Sequence, residues 1–231
     1  CIRDSTTAMT TDSARLRLFQ LVSPALPVGA FSYSEGLEVL VQRGLLADAA
    51  AVQAWLAAEL RRGAVAVETA ALRSLQQAWA EGQAAAVLEL DGWLLAQREA
   101  AELRAQQRQM GRSLLQLLAE LGWPLQGQAA ALDLAWPAAF AWAAQCLELG
   151  APAVQEAYLY SWVANQLSAA VRLVPLGPTQ AQRLQWQLAP LIAERAAALA
   201  DADPRQLWNS GVGAGLAQLQ HAELYSRLFR S

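Results

Sequence analysis

Side chains able to do covalent or metal chemistry are few in this chain. All 17 basic residues are arginine; no lysine occurs. That excludes a P-loop Gly-Lys-Ser/Thr, a pyridoxal Schiff base and a kinase-type phosphate lysine, since each needs an amine. One histidine, His221, and two cysteines, Cys1 and Cys146, complete the soft ligands. A Ser–His–Asp device could use only His221, and three residues cannot fill a four-ligand structural zinc site. His221 and Glu223 stand two apart, on different faces of a helix, so they chelate one ion poorly. No tight metal site is expected, and His221 is the one weak candidate. With these chemistries excluded, the composition points to work done by surfaces.

Polar and aromatic residues concentrate in three places. The first is Ser23–Glu38, where Pro24, Pro27 and Gly29 fix the backbone ahead of Tyr33, Ser34, Glu35 and Glu38. It reads either as a rigid interhelical loop with a capping box, Ser32-x-x-Glu35, or as a functional surface. The second is an apolar helix carrying Tyr158, Trp162, Asn165 and Gln166. Buried amides need partners, so the residues form either a core network or a subunit interface, to which Tyr and Trp are suited. Arg172 near its end favours the helix dipole. The third is the tail, with His221, Glu223, Tyr225, Arg227, Phe229 and Arg230. It is too apolar for a fraying end, and docks on its own core or on a partner. Gly211-Val212-Gly213-Ala214-Gly215 resembles a phosphate loop only superficially, since Leu216 stands where the third glycine belongs; it reads as a hinge.

The elements that position these residues are helical. The 231 residues suffice for one domain. Hydrophobic residues make up 55% and charged residues 16%, with a net charge of −3, so the chain folds and lacks the basic face of a nucleic-acid binder. Ala and Leu dominate, and no alternating strand pattern occurs. The expectation is an all-α, single-domain bundle of about eight to ten helices with little or no sheet. Helices are read from about Arg15 to Val22, from Ser32 to Gly44, from Asp48 to Arg62 and from Ala64 to Ala80. A long stretch follows, Gln83 to Leu121, broken near Asp91-Gly92. Further helices cover Pro137 to Leu149 and Pro152 to Pro175. The last long helix runs from a Thr179-x-x-Gln182 cap to Ala200, and a short one ends the chain. Residues 1–14 read as a flexible extension, vector-derived or from a misplaced start before about Met9. The 15–231 region is the domain. Neither a secretory signal nor a membrane span is expected: Ala129–Leu147, the most apolar window, contains Asp133, Pro137 and Gln145. Two cysteines make no disulfide framework, which fits a cytoplasmic protein.

Three separated stretches together resemble the urease accessory protein UreF family. They are Ser23–Glu38, Tyr158-Leu159-Tyr160-Ser161-Trp162 through Asn165-Gln166 to Val174-Pro175-Leu176-Gly177, and Tyr225–Ser231. Glu102-Leu103-Arg104, Met110-Gly111 and Pro137–Phe140 add to the likeness. Departures are Ala30 where a second glycine is frequent, Arg172 where lysine is common, and an acid displaced by one residue around His221. The resemblance implies an all-α, cytosolic, non-enzymatic protein without a cofactor that tends to dimerise. It implies binding of a UreD-type (UreH) accessory subunit and recruitment of the GTPase UreG, so that nickel is inserted into apo-urease. Tyr33, Ser34, Glu35, Glu38, Arg172, His221, Glu223, Tyr225, Arg227, Phe229 and Arg230 are the expected partner-binding residues. Tyr158, Trp162, Asn165 and Gln166 are the expected dimer-interface residues. A rival reading is a GTPase-activating protein supplying Arg172 or a tail arginine to UreG in trans.

Overall fold

The computed structural model describes residues 11–231. Among them ten α-helices occur in chain order, and no strand. They are α1 (Thr11–Leu21), α2 (Leu37–Gln42), α3 (Ala49–Arg62), α4 (Ala64–Ala80), α5 (Ala84–Ala96), α6 (Ala101–Glu120), α7 (Trp136–Cys146), α8 (Ala153–Leu173), α9 (Pro178–Leu199) and α10 (Val212–His221). The all-α expectation holds.

The core is arranged around α4. Ala64 to Leu72 is buried without a break, because small residues let α3, α5, α7, α8 and α9 approach it from all sides. Helix α7 is nearly as enclosed, which accounts for the apolar window in the sequence; no described helix is long and apolar enough to cross a membrane. Helices α6 and α7 pack together, as do α8 and α9.

Most boundaries follow local chemistry. Asp48 Oδ1 accepts the Ala51 N–H at 2.9 Å and starts α3. Five readings are corrected. Helix α1 begins at Thr11, so residues 11–14 are helical rather than part of an extension; residues 1–10 lie outside the described residues. The long stretch breaks at 97–100, not at Asp91-Gly92. Asp91 stays inside α5, buried, accepting the Ala135 N–H at 2.9 Å and so capping α7 from a neighbouring helix. Arg98 instead turns inward, and Arg104 donates to the carbonyls of Arg98 and Glu99 at 2.6 and 2.7 Å. Ser32-x-x-Glu35 is no capping box: Glu35 and Gly36 are left-handed, with φ of 52° and 87°, and α2 starts at Leu37. The Thr179-x-x-Gln182 cap is not used either; α9 starts at Pro178, whose fixed φ suits a first helical position. The glycines of 211–215 form no hinge: Gly213 and Gly215 lie within α10, and Gly215 faces the Glu99 carboxylate.

Candidate functional site

The 32–38 turn and the tail, almost 200 residues apart, build one structure. The Ser231 carbonyl oxygen accepts the N–H groups of Ser34 (2.7 Å) and Glu35 (3.1 Å) and the Ser34 hydroxyl (2.7 Å). Arg230 N–H donates to Ser32 O at 2.9 Å. Glu38, at the start of α2, accepts the N–H groups of Leu228 (2.7 Å, Oε1) and Phe229 (3.1 Å, Oε2). A carboxylate satisfying two main-chain donors holds a segment more firmly than neutral bonds would. Phe229 is driven into the core at 4% exposure. Over its ring stands the Arg172 guanidinium, 4.4 Å from the centroid, while Arg172 Nη1 donates to Phe31 O at 3.1 Å. Gly36 is needed here, since a Cβ would meet the Gln218 nitrogen.

His221, fully buried, ties α10 to this lock. Its Nδ1 lies 2.8 Å from Glu102 Oε2 and its Nε2 3.3 Å from Glu38 Oε2. Glu102 also accepts from Arg227 at 2.6 Å. Both ring nitrogens are thus engaged with carboxylates. Among the described residues no group of three or more His, Cys, Asp or Glu side chains is arranged for a metal ion.

Beneath the turn lies a second network. Glu35 accepts from Gln106 Nε2 (2.7 Å) and Trp162 Nε1 (3.1 Å), and its carbonyl from Gln218 (3.3 Å). Ser231 Oγ donates to Gln106 Oε1 at 2.5 Å. These bonds hold Glu35 in a left-handed conformation that costs a non-glycine residue about 1–2 kcal/mol. Deeper still, Glu68 accepts from Arg98 (2.6 and 3.0 Å) and from the Tyr158 hydroxyl (2.9 Å). Burial pushes the Glu68 carboxyl up, partly offset by Arg98. It also pushes the Tyr158 hydroxyl up, with the Glu68 charge adding to it. Burial alone would lower Arg98, but Glu68 and Glu35 outweigh it and hold the guanidinium charged.

The expected partner-binding residues therefore divide. Tyr33, Ser34, Glu35, Glu38, His221 and Phe229 are buried. The expectation that the 23–38 segment and the tail lie on partner-facing surface is corrected for these six: the polar groups of Ser34, Glu35, Glu38 and His221 bond within the chain, several of them joining the two segments. Arg172, Glu223, Tyr225, Arg227 and Arg230 are exposed, Tyr225 completely. Of the expected dimer-interface residues, Tyr158 and Gln166 face the interior of this chain, and Trp162 and Asn165 are half-buried. Tyr160 is the exposed aromatic of that helix. Glu102, Gln106, Glu68 and Arg98 were not singled out as site residues. Glu68 does carry a signal, a lone charge in the apolar run Ala64–Leu72; Arg98 carries none, because its partner is 30 positions away.

The described residues thus form an all-α protein whose buried carboxylates organise its own tail. The UreF family model matches residues 46–189. The urease accessory protein UreF of Thermosynechococcus vestitus is 42% identical over 225 residues, covering 96% of this chain and all of that protein. The UreF proteins of Alkalilimnicola ehrlichii (40% identical, 94% of this chain, 96% of that one) and Nostoc sp. (40%, 99% and 100%) match along the same length. The chain belongs to the UreF family of urease accessory proteins.

Proposed function

We propose that the chain is a non-catalytic maturation factor of the cytoplasm. It joins a UreD-type (UreH) subunit and the GTPase UreG so that nickel, the cargo, is inserted into apo-urease. One observation carries the choice of surface. The tail's backbone is pinned by Glu38 and Ser34, while Tyr225, Arg227, Leu228 and Arg230 stand outward. Anchors ordered before binding lose less entropy when a partner arrives, and Tyr and Arg are common binding hot spots. Membership of a family named for urease accessory function supports the process. The test is co-purification with a UreD-type subunit and UreG. An assembly of the three components that needs this chain is expected; UreD–UreG association unaltered by its removal contradicts the reading.

Engagement of Arg172 with Phe31 O and the Phe229 ring favours a positioning role over delivery of that arginine to a GTPase. A single-turnover GTPase assay with and without the chain distinguishes the two.

For self-association, an apolar groove of about 380 Å³ between α1, α8 and α9 includes Leu18, Phe19, Tyr160 and Ile192. A second copy is its proposed occupant, since exposed apolar grooves invite partners. Sedimentation of Tyr160→Glu is expected to show monomer where the parent protein shows dimer; a monomeric parent contradicts this.

A further inference from the structure

Below the tail's seat, a cavity of about 20 Å³ is bordered by Glu35, Glu68, Gln107, Tyr158, Trp162 and Gln166. Three donors around it are committed elsewhere: Tyr158 O–H to Glu68, Trp162 N–H to Glu35, and Gln106, which also borders it, to Glu35; Tyr33 and Asn165 border it as well. Two acceptors are not. Gln107 Oε1 and Gln166 Oε1 are buried with no hydrogen-bond partner, in residues 3% and 2% exposed. Orphaned buried carbonyls are rare, and each one calls for a partner.

We infer that this cavity is a binding site for one ordered water molecule, which donates to the amide oxygens of Gln107 on α6 and Gln166 on α8. The volume suits a single water, which needs roughly 10–15 Å³ and two or more polar partners. The two buried unfilled positions are acceptors, so the ligand must donate to both. A monovalent cation is the other chemistry that satisfies acceptors alone. It is disfavoured because Arg98 already neutralises Glu68 at 2.6 Å and every Glu35 oxygen has a donor. The water and Glu35 then form two polar bridges between α6 and α8, both directly under the turn that holds Ser231. This inference is independent of the partner proposal.

The test combines crystallography with a substitution series. Density is expected within hydrogen-bonding distance of both oxygens. It should be unchanged, and without anomalous signal, in crystals soaked in rubidium chloride. Gln107→Met and Gln166→Met are each expected to lower the thermal midpoint, because each strands the other amide. The double variant should recover part of the loss, since no amide remains to be satisfied. An empty cavity or a rubidium signal overturns the inference. So does a rise in midpoint for each single variant, the result expected if both oxygens were already orphaned and each substitution relieved one.

Discussion

Glu38 shows how much one side chain does here. It accepts two main-chain N–H groups of the tail and faces His221. Glu38→Ala strands those donors, at a cost on the order of 2–4 kcal/mol. The expected result is a helical protein of reduced urea midpoint whose tail is cut early by protease; unchanged proteolysis would contradict the lock. Glu59 supplies a test with a definite sign. Burial pushes its carboxyl up, against the pull of Arg98 and with the push of Glu35. A carboxyl raised in the folded state stabilises while protonated and loses that contribution as pH rises through its folded value. Glu59→Gln should therefore be more stable than the parent near neutral pH. The difference should shrink as pH falls to the ordinary carboxylate range. Urea titrations at several pH values measure it, and a gap that widens in acid would contradict the burial argument.

At the scale of elements, helix existence was legible where punctuation is local. Asp48, Gly63 and Pro178 each act on the turn they adjoin. It failed where a distant partner decides. The Ser32–Glu35 spacing suits a capping box, yet Glu35 serves Gln106, Trp162 and the tail instead. Asp91-Gly92 looks like a break, yet Asp91 is used by Ala135 from within its helix. The tail segment was recognisable as apolar and aromatic, but not the seat built for it, because no short-range pattern links Glu38 to residue 228. That seat makes the tail part of the fold. Phe229→Ala is expected to cost about 3–5 kcal/mol, and removal of Tyr225–Ser231 at least as much, while most helix content remains by circular dichroism. A truncated protein as stable as the parent would return the tail to the periphery. Gly36→Ala should also destabilise, since φ is 87° and the added methyl meets α10 at Gln218; a neutral effect in thermal denaturation would show that the turn yields.

For the whole molecule, the proposed function gives two faces separate tasks: the tail–turn surface would meet the accessory and GTPase subunits, and the α1–α8–α9 groove a second copy. Fold class and family were both readable from sequence, the first from composition and the second from three stretches in order. The division of the site into a buried lock and an outward set of anchors was not, because spacing along the chain does not separate a carboxylate turned inward from one turned out. The two sets are expected to give opposite phenotypes. Changes in the lock should act through stability, whereas changes in the proposed anchors should leave the fold intact. The most direct measurement is capture by a UreD-type subunit of the double variant Tyr225→Ala, Arg230→Ala. Urease activation in cells lacking their own copy is scored on the same variant. The expected result is a parent-like circular dichroism spectrum and thermal midpoint, with capture weakened about 30-fold or more and activation lost. A folded variant that captures the subunit and activates urease as the parent does would contradict the assignment of the tail as the partner-facing surface.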